Sequence, residues 1–155
     1  MSLTFQSIRF GAVEVSDEQV IEFPLGLIGL GGLSYALIDR NPGTGFLWLH
    51  STEDPALALP VVNPFQFFAD FALDIAPEDR ERTGLQDAEG AVIYVTVRAA
   101  PNPLETTANL RAPLLIVGGR GYQVLNGAPD SPLRAPLFEL AEQRAPAHSG
   151  AVEAP

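Results

Sequence analysis

Apolar residues recur along this chain in short runs, many of them alternating with polar ones, and glycine or proline interrupts most runs within about ten residues. A period of two sends successive side chains to opposite faces of a strand. On that pattern Leu3 to Val15 makes two strands around Gly11, with Phe5, Ile8, Phe10, Val13 and Val15 as apolar contributors. Val20 to Phe23 is a short strand ended by Pro24, because proline has no N–H to give a ladder. Tyr35 to Ile38 and Phe46 to His50 form two more, joined by the turn-rich residues 39–45. Ala58 to Val62 is apolar on both faces and reads as a central strand. Ala91 to Val97 alternates most cleanly, and Leu114 to Val117 and Tyr122 to Leu125 complete the set. The fold class is therefore all-β: a small, barrel-like single domain with one or two short helical turns.

The longest alternation follows the turn dipeptide Asn63-Pro64. Phe65, Phe67, Ala69, Phe71, Leu73 and Ile75 fall on one side, and Gln66, Phe68, Asp70, Ala72 and Asp74 on the other, which predicts a long half-buried strand. Phe68 lies on the polar side. It is either an exposed aromatic among carboxylates, suited to a protein-binding surface, or the cap of a second small cluster under a loop. Beyond it, Asp70 to Glu89 carries seven acids against Arg80 and Arg82, a net −5. Pro77 to Gly84 fits a helical turn, with proline and acids first, arginines last and glycine beyond.

Charge narrows the range of partners. The 155-residue chain carries −10, and all nine of its cations are arginine. Nucleic acid and anionic membrane are bound through Lys and Arg, so this surface repels both and attracts basic proteins. No apolar run approaches a membrane span, and Met1-Ser2-Leu3-Thr4-Phe5 lacks a basic, then apolar, leader, so a cytoplasmic protein is expected. Residues 1–140 read as the folded domain and 141–155, rich in Ala and Pro, as a disordered tail.

Chemistry is hard to place. With no cysteine there is no disulfide, thiolate ligand or thiol nucleophile, and the two histidines, His50 and His148, make a poor metal set. Four glycines among Leu25 to Leu33 lack the lysine and the helix of a phosphate loop, and read as a tight apolar turn folding back on the core. No serine sits in a Gly-x-Ser-x-Gly elbow, and neighbours on a strand face apart, so His50 does not meet the Ser51 hydroxyl. Trp48 reads as a core aromatic. The residues by themselves leave three classes open: a protein-binding regulator, a small-ligand barrel using Trp48 and Tyr94 in an open mouth, and a carboxylate hydrolase, for which no pair stands out. No cofactor is indicated.

Four segments taken in order carry a resemblance. They are Ile21-Glu22-Phe23-Pro24-x-Gly26-x-x-Gly29, Trp48-Leu49-x-Ser51-x-x-Asp54-Pro55, Val62-Asn63-Pro64-Phe65 and Thr107-Ala108-Asn109-Leu110-x-Ala112-Pro113-Leu114. Together they resemble the bacterial flagellar assembly factor FliW, over about Phe5 to Leu137. The resemblance implies a non-enzymatic barrel that binds the C-terminal region of cytoplasmic flagellin and sequesters the translational regulator CsrA, coupling flagellin level to translation of its messenger. A flagellin chaperone without CsrA regulation is the alternative. It further implies flagellin contacts at Asn63, Pro64, Phe65 and Phe68, and CsrA contacts at Asp70, Asp74, Glu78 and Asp79. Thr107, Asn109 and Pro113 are expected to shape a loop. The chain departs from the family pattern at Leu25, at Leu30-Gly31, and in Ser131-Pro132-Leu133-Arg134-Ala135-Pro136, losing two acids and a histidine. Lost carboxylates reduce complementarity to a basic partner.

Overall fold

The apolar runs separated by glycine and proline become strands in the computed structural model, which describes residues 2–28, 30, 33–40, 42–85, 90–129 and 131–138. In chain order they are β1 (Ser2–Ser7), β2 (Gly11–Ser16), β3 (Val20–Glu22), β4 (Ser34–Ile38), β5 (Phe46–Ser51), β6 (Ala58–Val62), then one helix, α1 (Pro77–Thr83). After it come β7 (Val92–Arg98), β8 (Thr107–Ala108), β9 (Leu114–Val117), β10 (Arg120–Gln123) and β11 (Ala135–Pro136).

Seven of these close on themselves. The order β7-β6-β5-β4-β3-β10-β9 returns to β7 through the β7–β9 pairing, so the sheet is a barrel without free edges. All its pairings are antiparallel except β3 with β10, where Glu22 stands opposite Arg120 and its N–H donates to the Gly119 carbonyl at 2.9 Å. The hairpin β1–β2 stands apart as its own two-stranded sheet, and β8 and β11 extend β7 outward.

Period two decides what fills the barrel. Ile21, Phe23, Tyr35, Leu49, Val61 and Leu114 form a buried interior cluster, joined by Leu37, Leu47, Leu59 and Tyr94. Phe23 and Tyr35 meet edge to face at 5.6 Å between centroids, with neither exposed. Gly121 is required beside them, because a Cβ there would collide with the Phe23 ring.

The barrel is also clad on its outside. Phe5, Val13 and Val15 of the hairpin cover Ala36 and Ile38 of β4, with Phe10, Val20 and Trp48 against them. Val62, Val95 and Val97 point outward into Ala108, Leu110, Ala135 and Leu137. Ile93, Leu115 and Val124 are covered by Ile75, Phe71, Leu73 and Leu85. This explains why β6 and β7 are apolar on both faces, as a central strand requires. Pro60 fits inside β6 for a related reason. The Ser51 N–H to Leu57 carbonyl bond, 2.9 Å, sets the ladder phase so that residues 57, 59 and 61 face β5 and Pro60 does not, and no β5 bond is lost.

Three expectations need correction. Ile8 is 78% exposed at the tip of the first hairpin and contributes nothing to the core. Among the described residues of the Leu25–Leu33 stretch only Leu27 packs inward, while Leu25, Ile28 and Leu33 are exposed. The long strand from Phe65 to Ile75 does not exist. Pro64–Gln66 is a 3-10 turn, the stretch to Asp74 is irregular, and Ile75 makes one isolated bridge to Asn126. Asn63 caps the turn by accepting the Phe65 N–H at 2.9 Å, with proline in the first helical position. That local chemistry outweighs the alternation. The same device recurs at Asn102-Pro103, where Asn102 accepts the Leu104 N–H at 3.1 Å. The 141–155 tail, His148, Asp87 and Glu89 lie outside the described residues.

Candidate functional site

The segment from Asn63 to Asp79 crosses the outside of the barrel without joining it, so its side chains divide into those that hold it down and those left over. Pro64 is fully buried. Phe67 packs edge-on to Phe46 at 5.8 Å, and Phe68 is half-buried against the Val62–Val95 cluster, so of the two readings the second describes it. Phe71 belongs to two clusters at once and anchors the middle. Phe65 is the aromatic that remains outside, 56% exposed, with its ring edge-to-face on Phe71 at 5.1 Å. A single turn thus raises one phenylalanine above the surface and fixes it.

The acids divide in the same way. Asp70, Asp74 and Glu78 are exposed, and none of the three carboxylates makes an ion pair or hydrogen bond among the described residues. The backbone of Asp74 is held while its carboxylate is free: its N–H donates to Asn126 Oδ1 at 3.0 Å and its carbonyl accepts from Gly127 at 2.9 Å. Asp79 is different. It is 8% exposed; one oxygen takes Arg82 Nη2 at 2.9 Å and the other the Leu125 N–H at 2.8 Å, while Arg82 also reaches the Gln123 carbonyl. Asp79 therefore pins α1 to the chain leaving β10. Pro77 opens that helix and Gly84, with φ 79°, closes it in the left-handed region, as its sequence predicts.

A serine and histidine do meet, though not the adjacent pair. His50 Nε2 lies 2.7 Å from Ser7 Oγ, and Nδ1 lies 2.7 Å from the Ser51 carbonyl. A carbonyl only accepts, so Nδ1 donates and Nε2 accepts the serine proton. Ser7 Oγ in turn accepts the N–H groups of Arg9 and Phe10 at 3.1 and 3.0 Å. Its oxygen is spent on a turn, and both residues are buried, His50 completely. Ser51 Oγ does the same for Glu53 and Asp54. These contacts rivet the outer hairpin to β5, and such a hydroxyl is a cap rather than an exposed nucleophile.

The barrel has an opening at each end. One is lined by Phe46, Asn63, Gln66, Phe67 and Tyr94, and the other by Leu59, Thr96, Leu114, Arg98 and their neighbours. Trp48 lines neither; it sits outside, edge-on to Phe10 at 5.6 Å with the Arg9 guanidinium over its ring at 4.5 Å. Burial pushes the hydroxyls of Tyr35 and Tyr94 above the ordinary 10.0, with Glu53 and Asp54 adding to the effect at Tyr35. Asn109 Oδ1 caps the backbone of Arg111 and Ala112 at 3.0 and 3.2 Å ahead of the buried Pro113, whereas Thr107 belongs to strand β8 instead of the loop. Among the described residues no three His, Cys, Asp or Glu side chains are placed to hold a metal ion, and no helix is long and apolar enough to cross a membrane.

A closed seven-stranded barrel, clad outside by a hairpin and by a segment that carries one raised phenylalanine and several exposed carboxylates, defines a class of small, externally clad β-barrel. The family model described as FliW protein matches residues 4–137, and the chain belongs to that family, the flagellar assembly factors. It is 36% identical over 116 residues to the flagellar assembly factor FliW of Alkaliphilus metalliredigens, covering 74% of this chain and 72% of that one. To FliW of Leptospira biflexa it is 31% identical over 147 residues, 92% and 96% of the two chains. A crystal structure of the flagellar assembly factor FliW superposes with a TM-score of 0.74 at 25% identity, covering 90% of this chain and 98% of that one.

Proposed function

We propose that this protein is a non-enzymatic flagellar assembly factor that binds the C-terminal region of flagellin in the cytoplasm and sequesters CsrA, so that flagellin level controls translation of flagellin messenger. The observation that carries the reading is the outer segment from Phe65 to Glu78, which holds an aromatic ring 56% exposed at its start and, further along, the exposed carboxylates of Asp70, Asp74 and Glu78, which have no partner among the described residues. Such a surface offers an apolar anchor and a field that speeds encounter with a basic protein.

Within that segment the roles divide by what each side chain is free to do. Phe65, assisted by the edge of Phe68, contacts flagellin, while Asn63 and Pro64 set the turn that presents Phe65. Asp70, Asp74 and Glu78 face CsrA, and Asp79 contributes by holding α1 in place.

The test is a calorimetric titration with flagellin and with CsrA, each at two salt concentrations and each repeated with the other partner present. Binding to both is expected, with CsrA affinity falling at high salt and in Asp74→Lys and Glu78→Lys. Binding to flagellin alone would reduce the protein to a flagellin chaperone. Binding to neither would overturn the proposal.

A further inference from the structure

The end of the barrel away from Phe65 has a different character from the rest of the surface. Its opening, about 540 Å³, has a floor of interior residues, Leu59, Thr96 and Leu114. The rim is apolar where it projects, with Ile28 61%, Leu125 53% and Leu133 56% exposed.

Three of the nine arginines, Arg98, Arg111 and Arg134, converge on this mouth, and no carboxylate lines it among the described residues. In a chain of net charge −10 that concentration is opposite to the average surface. Arg98 and Arg134 make no ion pair or hydrogen bond among the described residues, and Arg111 gives only its Nε to the Ser131 carbonyl at 3.3 Å. The three come from separate elements that line the opening, the end of β7, the turn before β9 and the approach to β11. Gln123 braces the mouth, accepting the Ile28 N–H at 2.7 Å and donating to the Ala112 carbonyl at 3.0 Å.

We propose that this mouth is a second docking site, taking a protein segment in which leucine-like side chains alternate with several carboxylates. Charge complementarity identifies the occupant: apolar groups seat on Leu59 and Leu114 while separate carboxylates pair with Arg98, Arg111 and Arg134, arginine being suited to such forks. A single fatty acid would bring one carboxylate to three dispersed cations and would need depth that Phe23, Tyr35 and Leu49 already fill. The segment bound here is acidic, unlike the basic partner proposed for Asp70, Asp74 and Glu78, and the two surfaces adjoin where Asp79 takes the Leu125 N–H.

A fluorescein-labelled amphipathic peptide of leucine and glutamate tests this without flagellin or CsrA, so its outcome is separate from the titrations above. Saturable polarisation is expected, with amide and arginine side-chain NMR resonances of Arg98, Arg134 and Leu133 shifting. Affinity should fall at least about tenfold in Arg98→Glu/Arg134→Glu and on raising the salt. Leu133→Asp, at an exposed position, supplies a second variant should the double reversal lose its fold, which thermal melting reads directly. Equal binding of the leucine-lysine counterpart, unchanged affinity in these variants, shifts confined to other residues or no saturable binding would overturn the proposal. Displacement of the peptide by dodecanoate at lower concentration would replace it with a lipid site.

Discussion

Two polar regions of this protein look alike in composition and behave in opposite ways. At the seam between β5 and the outer hairpin, Ser7, His50 and Ser51 are buried and every polar side-chain atom has its partner. Along Asp70 to Glu78 the carboxylates are exposed with none among the described residues. The first region resembles a catalytic pair in sequence content and serves as a fastener. The second resembles ordinary solvated acid and offers the unspent interactions from which binding is built. What separates them is whether the fold has already used the groups, since a satisfied buried hydrogen bond has nothing left for a ligand.

Substitutions can break that contrast. The largest effect is expected for His50→Ala, which opens a cavity, takes the acceptor from the Ser7 hydroxyl proton and removes the ring donor to the Ser51 carbonyl; about 3 kcal/mol should be lost in chemical denaturation. Retention of full stability would mean the seam is not a fastener. Asp79→Ala should cost about 2 kcal/mol, because it removes the partner of Arg82 and of the Leu125 N–H. The same measurement on Asp74→Ala should stay within about 0.5 kcal/mol of the parent. Equal losses at the two aspartates would erase the distinction between spent and free acids.

A smaller effect concerns alkaline pH. Tyr35 and Tyr94 have raised pKa values when folded, so the unfolded chain releases their protons first. Their contribution to stability is complete below pH 10, the ordinary tyrosine value, and is lost as pH rises toward the folded pKa. Denaturation midpoints taken at increasing pH should decline there, and substituting Phe for Tyr94 should flatten the decline. The smallest effect on stability belongs to Phe65→Ala. Within about 0.5 kcal/mol of the parent in thermal melting, it should nonetheless weaken flagellin binding, and a large melting shift would place Phe65 with the fasteners.

Phe65 and Phe68 also show where reading the chain succeeds and where it fails. The strands at Tyr35–Ile38, Phe46–His50 and Ala58–Val62 are legible because period two, β-branched or aromatic content and flanking turn residues agree. Over 65–75 the same period is accidental. Asn63 as cap and Pro64 as first helical residue specify a 3-10 turn, and the repeat at Asn102-Pro103 was the available signal. The two-residue strands β8 and β11 carry too few positions for any period, and form because Ala135 finds Ala108 across the outside of β7.

The sequence by itself determined the all-β class, most strand positions, the helix that Pro77 opens and Gly84 closes, the acidic character and the family, since these depend on local pattern, turn chemistry and summed charge. Tertiary structure alone decided which identical groups differ in role. Asp79 and Glu78 are neighbours on one helix, yet only Asp79 reaches the chain leaving β10. Likewise Arg98, Arg111 and Arg134 become a single cationic rim only when barrel closure brings β7, β9 and the approach to β11 around one opening. Burial and convergence are properties of non-local packing, to which a one-dimensional pattern has no access.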